Sequence, residues 1–318
     1  MSPPWRLAAL AFLVIAIPLQ AQHRNRKSHD EDRDDFEVTL DTTVAFSRSG
    51  SVDLQSFSGD VTISAWDRDE VKIHAKSRNQ IHFDASQSRV SLSETPGDHG
   101  DEDRDDNGRN YGFEISVPKS VRLVVRSISG DIKVRDVADV EAHTVSGDLN
   151  ATNIANHADL ETISGDLSVD NAAAGMRAST VSGDIQARKI TGEVSAQSVS
   201  GDVVLQDVTS AFVRSETVSG ELHFSGPVDP KGRYEFHSHS GDVDLDLTGG
   251  AANASLDVET YSGDLDTGCA MTLQPGGRGD RMGKRGTLTM GNGSGAHFVL
   301  RTFSGDLHIR GCSSHGDR

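Results

Sequence analysis

The chain is poor in cysteine, aromatic residues and positive charge, and each scarcity restricts what it can do. Two of the 318 residues are cysteine, so at most one internal disulfide bond can form. Aromatic residues make up 5% of the chain, which is sparse for β-helix enzymes that hold sugars on stacking aromatic rings. Lys and Arg total 31 against 48 Asp and Glu. The resulting net charge of −17 opposes binding to nucleic acids and to anionic membrane surfaces, and suits cationic partners or divalent ions.

The patterns of common enzyme classes and of helical folds are also missing. Apolar residues spaced three and four apart, as amphipathic helices require, do not occur beyond the N-terminus. The sequence contains no nucleophile elbow, no phosphate-binding loop and no dinucleotide fingerprint. We therefore expect an all-β protein without catalytic residues.

The N-terminus predicts export. Residues 1–22 resemble a secretory signal peptide, with Arg6 ahead of the apolar run Leu7 to Leu19 and the small residue Ala21 near the end. This run is too short to span a bilayer comfortably; an uncleaved anchor is the alternative. Residues 23–35 carry dense charge of both signs and predict a solvated linker. The mature protein is expected to be periplasmic or secreted, without an integral membrane segment.

The tripeptide Ser-Gly-Asp recurs along the rest of the chain. It begins at Ser58, Ser129, Ser146, Ser164, Ser182, Ser200, Ser240, Ser262 and Ser304, and Ser219 begins a tenth copy that has Glu221 in third place. From Gly130 to Gly201 the glycines are 17, 18, 18 and 18 residues apart, and the later spacings widen to 19, 21, 22 and 42. A fixed period of this length indicates a stacked repeat array.

Each repeat contains two alternating patterns whose phases differ. The residues two and four after the glycine are apolar with one exception, as at Leu167 and Val169, and the residue seven before it is always apolar. Alternation with period two is typical of half-buried strands. Because the phase changes between the two strands, a corner is expected just before each Ser-Gly-Asp. Two short strands per 18–22 residues predict one coil of a β-solenoid, with irregular coils and an acidic hairpin over 36–127, regular repeats over 128–311 and a tail at 312–318.

Several segments are similar to the DUF4097 family, the bacterial "putative adhesin" domain. They are Ser58 to Ile63 followed by Ala65 to Val71, the run Ile115 to Pro118, and the Gly-rich stretch Gly286 to Gly295 before Arg301 to Leu307. The likeness extends over about residues 36–311. It implies an exported, envelope-associated β-helix-like fold with no known enzymatic activity, and it supplies no catalytic residues.

The segment between Asp103 and Glu114 is the strongest candidate for a metal site. Asp103, Asp105, Asn107 and Glu114 match the spacing of calcium-binding loops, in which the carbonyl of Arg109 would be a further ligand. No helices are predicted to flank this segment, and Glu114 is an outward residue of an alternating strand. We favour an acidic hairpin tip, and we expect no cofactor other than this potential calcium ion.

Three weaker patterns have simpler explanations. The Asp residues of the repeats could bind calcium as in nonapeptide β-rolls, but only Gly183, Gly192 and Gly201 show the nine-residue spacing. The Ser and Asp side chains could instead stack outward or bond the backbone of the corner. His237 and His239 could form a metal pair, although His239 occupies the corner position. Chance explains the integrin-like tripeptide at 278–280.

Cys269 and Cys312 are candidates for a disulfide bond. They lie six and seven residues after Gly263 and Gly305. If these glycines occupy neighbouring coils, the two sulfurs are about one inter-strand spacing apart, which is within disulfide reach. An exported protein is exposed to an oxidising environment, which permits the bond. Two unpaired thiols are the alternative.

The sequence thus predicts a noncatalytic, exported scaffold or adhesin-like protein that binds an envelope protein or glycan. A β-helix carbohydrate-active enzyme is the runner-up, and it would require two or three carboxylates in one deep groove. A component of envelope-stress sensing is the third possibility.

Overall fold

The structure is a computed structural model, and it describes residues 38–95, 111–248, 253–268, 272–275 and 284–311. Contacts divide the chain into Met1–Phe36 and Glu37–Arg318, and the second unit contains every described residue. These residues form 26 strands and no helix, so the described part offers no helix that could cross a membrane. The all-β prediction is confirmed.

The strands of the first half follow one another closely. They are β1 (Val38–Ala45), β2 (Ser51–Ser56), β3 (Asp60–Trp66), β4 (Glu70–Ser77), β5 (Gln80–Ala85), β6 (Arg89–Thr95), β7 (Gly112–Pro118), β8 (Arg122–Ser129), β9 (Ile132–Arg135), β10 (Asp139–Ser146), β11 (Leu149–Ile154), β12 (Ala158–Ser164) and β13 (Leu167–Ala172).

The second half contains the longest strand, β19 (Leu222–Ser240), which takes part in both sheets of the solenoid. The strands are β14 (Gly175–Ser182), β15 (Ile185–Ile190), β16 (Glu193–Ser200), β17 (Val203–Gln206), β18 (Ser210–Ser219), β19 (Leu222–Ser240), β20 (Val243–Thr248), β21 (Ala254–Ser262), β22 (Leu265–Thr267), β23 (Thr272–Pro275), β24 (Lys284–Met290), β25 (Ala296–Ser304) and β26 (Leu307–Arg310).

Successive coils stack as two parallel sheets, which confirms the predicted β-solenoid. Sheet A takes the strand after each Ser-Gly-Asp, and sheet B takes the strand that ends in it. Along sheet A, Leu167 is the register partner of Ile185, and Ile185 that of Val203, so the predicted column of aliphatic residues exists. The repeat period therefore translates directly into a fixed register.

The core is the thin space between the two sheets. Alternate side chains of both sheets point into it; Ile185 and Val194 are 0% exposed. Several inward positions hold alanine, for example Ala178, Ala187 and Ala196, each also 0% exposed. Small inward residues suit walls this close together, since a close-packed interior leaves little room for larger ones.

At both ends of the solenoid, the spatial order of the coils departs from their order in the sequence. The coil β2–β3 lies between β6–β7 and β8–β9. The last coil, β25–β26, lies between β19–β20 and β21–β22. Antiparallel strands complete the ends: β1 and β7 flank β4, β5 pairs with β6, and β24 pairs with β21 and β23.

Candidate binding surface at the serine-glycine-aspartate corner

The corner forms where two consecutive residues turn outward. The residue three before each glycine points inward: Thr180 and Ser198 are 3% and 5% exposed. Their hydroxyls donate to carbonyl oxygens of the preceding coil, Thr180 to Gly165 at 3.3 Å and Ser198 to Gly183 at 3.2 Å. The next two residues are both exposed before the chain enters sheet A. The predicted break in phase is thus located here.

Glycine is required because neighbouring coils approach closely at this point. Gly165, Gly183 and Gly201 each have φ +149°, in the region that disfavours other residues. A Cβ built on any of them would collide with the carbonyl oxygen of the glycine one coil earlier. The corner therefore tolerates no side chain at this position.

The third residue of the repeat is aspartate because its carboxylate accepts a hydrogen bond from the backbone of the next coil. The amide of Asp184 donates to Oδ1 of Asp166 at 2.8 Å, and the amide of Asp202 donates to Oδ1 of Asp184 at 2.8 Å. The same bond joins Asp131 to Asp60, Asp148 to Asp131, Asp166 to Asp148, Glu221 to Asp202, Asp306 to Asp242, and Asp264 to Asp306. The Asp residues thus bond the backbone at the corner, which is one of the explanations that the sequence left open.

The residues two before the glycines form a line of exposed side chains, which we call the corner ridge. In spatial order it comprises Phe57, Ile128, Val145, Ile163, Val181, Val199, Val218, His239, Phe303 and Tyr261. All except His239 are large hydrophobic residues, and they are 41% to 52% exposed. Exposed apolar side chains in one contiguous row are typical of interaction sites rather than of ordinary surface.

At one end of the corner ridge, the coils of β19, β25 and β21 present a stack of three aromatic rings. The ring centroids of His239 and Phe303 are 4.9 Å apart with planes at 15°, and those of Phe303 and Tyr261 are 4.7 Å apart at 3°. Both faces of the Phe303 ring are therefore covered by neighbouring rings. His239 belongs to the corner ridge, as its corner position suggested.

His237 lies on a different surface from His239. Its Nδ1 is 3.4 Å from Oε1 of Glu216, on the outer face of sheet B. Burial lowers the pKa of His237, against the opposing effect of Glu216. Within the described ranges, no group of three or more His, Cys, Asp or Glu side chains is arranged to hold a metal ion.

Several acidic residues on the outer sheet faces have cationic partners, whereas four consecutive carboxylates along the corner have none within the described ranges. On sheet B, Glu141 contacts Arg122 and Arg126 at 3.3 and 3.0 Å. Although burial raises the pKa of Glu141, hydrogen bonds from Arg122 and His143 hold it below its usual value. Along the corner, Lys133 lies 3.9 Å from Asp131. In the four following coils, Asp148, Asp166, Asp184 and Asp202 form no salt bridge with any described residue.

The remaining sequence predictions fall largely outside the described residues. Asp103, Asp105, Asn107, Cys269, Cys312 and the tripeptide at 278–280 all lie outside them. Glu114 is an exposed residue of β7, with Thr62 and His74 as register partners on either side. Gly263 and Gly305 lie in neighbouring coils, where the amide of Gly305 donates to the carbonyl of Ser262 at 3.2 Å; the disulfide bond itself stays a prediction.

A small pocket opens on the side of the solenoid remote from the corner. Its volume is about 200 Å³, and it is lined by Gly192, Thr209, Ser210, Ala211, Pro227, Val228 and Asp229. Asp229 is its single carboxylate, whereas glycoside hydrolysis ordinarily uses two. The pocket therefore does not provide the groove that the enzyme alternative requires.

Comparison with known proteins places the fold in a family. No curated protein matches the chain. A solved structure from Clostridium sporogenes, described as a "putative cell adhesion protein", is similar at 9% identity and a TM-score of 0.27, covering 86% of this chain and 99% of its own. A likeness at this TM-score does not establish a shared fold. The family model described as Toastrack DUF4097 matches residues 50–268, more than two thirds of the sequence, and the chain belongs to this family.

Proposed function

We propose that this protein is a noncatalytic component of the cell envelope, exported through the leader predicted at residues 1–22, which binds an envelope protein or glycan along the corner ridge. The corner ridge is the observation that carries the proposal. Its ten positions repeat at the spacing of parallel strands, so they extend over about 43 Å. A row of this length suits an elongated partner better than a compact small molecule.

The regular walls support a scaffold rather than an enzyme. A catalytic site needs a few unlike groups converging on one point, whereas the corner repeats the same residue types from coil to coil. The outer faces carry paired charges such as Arg214 and Glu216, whose Nη2 and Oε1 are 2.6 Å apart. Exposed pairs of this kind contribute little free energy and favour solubility.

The experiment compares two triple variants of the full chain. Ile163→Thr/Val181→Thr/Val199→Thr makes three adjacent rungs of the corner ridge polar but keeps the β-branched shape that suits strands. Val124→Thr/Val204→Thr/Val299→Thr makes the matched change at half-buried residues of the outer sheet faces. Each protein is immobilised, and the retained components of a bacterial envelope extract are quantified.

We expect the corner ridge variant to retain roughly tenfold less material than the wild type, and the control variant to retain as much as the wild type. Equal retention by both variants would contradict the proposed function. Release of reducing sugar ends from a polysaccharide by the purified wild type would contradict the noncatalytic assignment.

A further inference from the structure

Four consecutive coils present carboxylates that the described part of the chain leaves without a cation. Asp148, Asp166, Asp184 and Asp202 each use Oδ1 to accept the amide of the next coil. None of the four forms a salt bridge with any described residue. Like charges about 4.8 Å apart repel one another, so a cationic ligand would relieve a repulsion already present.

The line of carboxylates runs parallel to the corner ridge at short range. In each coil only the Ser and Gly of the repeat separate the ridge residue from the carboxylate, as between Val181 and Asp184. Three residues of extended chain span at most about 10 Å. A ligand that packs apolar side chains on Val181 and Val199 can therefore place longer basic side chains against Asp184 and Asp202.

The aromatic stack favours a polypeptide over a sugar. Carbohydrates pack against an open aromatic face, and the faces of Phe303 are occupied by His239 and Tyr261. Over the coils between Ile128 and Val218, the corner ridge is aliphatic and offers no ring at all. Aliphatic side chains of a peptide can pack on all of these positions.

We infer that the corner ridge and its adjacent carboxylates bind a linear polypeptide in which Lys or Arg residues alternate with apolar residues. The inference rests on the proposed function, because it specifies the partner of the same surface. The net charge of −17 adds long-range attraction for such a ligand. A stretch of roughly 13 extended residues would cover the length of the corner ridge.

The test uses synthetic probes and charge-matched variants of the full chain. The probe is a labelled 14-residue peptide of alternating Lys and Leu; an alternating Glu and Leu peptide and an alternating Lys and Ser peptide are its controls. Asp166→Asn/Asp184→Asn removes two charges but keeps the Oδ1 acceptors for the amides of the next coil. Asp170→Asn/Asp207→Asn removes two charges away from the corner. Affinity is measured by fluorescence anisotropy at 50 and 500 mM NaCl.

We expect the Lys and Leu peptide to bind the wild type at least tenfold more tightly than either control peptide, and more weakly in high salt. The dissociation constant should rise about fivefold in Asp166→Asn/Asp184→Asn and less than twofold in Asp170→Asn/Asp207→Asn. Equal weakening by the two double variants would overturn the inference, because attraction would then be diffuse. Binding of chitin or peptidoglycan oligosaccharides without binding of the peptide would also overturn it.

The corner ridge variant separates the two proposals. If Ile163→Thr/Val181→Thr/Val199→Thr loses envelope retention while Asp166→Asn/Asp184→Asn retains both envelope material and peptide, the proposed function stands and the cationic partner is wrong. If the corner ridge variant retains the envelope material, the proposed function itself is wrong.

Discussion

Gly201 lies against Gly183 of the preceding coil so closely that no side chain fits between them. A Cβ on Gly201, where φ is +149°, would meet the carbonyl oxygen of Gly183. We predict that Gly201→Ala lowers the free energy of unfolding by about 2–4 kcal/mol, because it adds backbone strain to a steric clash. Urea denaturation followed by circular dichroism measures the change.

Gly268→Ala is the matched control. A Cβ at Gly268 would come no nearer than 3.8 Å to the carbonyl oxygen of Ile309. Its effect should stay within about 0.5 kcal/mol. If Gly201→Ala were no more destabilising than Gly268→Ala, close approach at the corner would not be the reason for glycine there.

Replacement of Ile185 should weaken the solenoid far more than replacement of its neighbour Gln186. Ile185 is 0% exposed between Leu167 and Val203, so Ile185→Ala leaves a cavity and should cost about 2–5 kcal/mol. Gln186 points to solvent from the same strand, and Gln186→Ala should change stability by less than about 0.5 kcal/mol. Similar urea midpoints for the two variants would contradict the assigned inward and outward faces.

His237 should make the fold less stable in mild acid. Its pKa is lowered in the folded state, first by burial, with Arg301 and Arg214 acting in the same direction and Glu216 and Glu235 opposing. The unfolded chain therefore takes up the proton more readily, so the stability contributed by neutral His237 is present above about pH 6.5 and is lost as the pH falls below it.

The measurement is the loss of melting temperature between pH 7.5 and 5.5. This loss should be smaller in His237→Gln than in the wild type, while His82→Gln, at an exposed position, should behave like the wild type. An unchanged pH dependence in His237→Gln would show that other groups cause the acid sensitivity.

Cys269 and Cys312 should be oxidised in protein made in an oxidising compartment. The strands preceding them, β22 and β26, pair with Thr267 opposite Ile309. Alkylation followed by mass spectrometry should find no free thiol. Closing the intervening loop should stabilise the protein by roughly 4 kcal/mol in the chain-entropy model, less any strain. Two alkylated cysteines in the folded protein would reject the bond.

Calcium should have little effect on the protein if the segment around Asp103 is only an acidic hairpin tip. At about 10 mM, Ca²⁺ should then raise the melting temperature no more than Mg²⁺ does. An extracellular-type site would instead add about 2.7 kcal/mol at 100-fold excess over its dissociation constant. A rise specific to Ca²⁺ that disappears in Glu114→Gln would contradict the hairpin tip.

The regular part of the fold was predictable because the repeat period and the alternation of apolar residues indicate the same strands. Leu167, Ile185 and Val203 recur at one position of an 18-residue period, and the period fixes both strand direction and register. The alternation of inward and outward residues also contains the signal for the corner ridge, which our sequence analysis did not predict. Since Thr180 and Ile185 both point inward, a strict alternation cannot connect them, and the structure places the break at Val181 and Ser182, which are both exposed.

Two features depend on contacts that a single sequence does not specify. The bond from the amide of Asp202 to Asp184 depends on how far one coil is offset from the next. Near the end of β15, Lys189 adopts the left-handed conformation, with φ 54°, at a position where the preceding coils have Asn153 and Asn171, a residue type better suited to it. In both cases the stacking of the coils decides the local conformation.

The position of the last coil determines how the protein responds to tension. Because β25–β26 lies between β19–β20 and β21–β22, a pull on the C-terminal strand meets hydrogen bonds on both sides. An ordinary terminal coil would peel from a single neighbour, one bond at a time. Here the coil has to shear out from between two neighbours, so we expect β26 to resist unravelling under tension more than a coil with a single neighbour would.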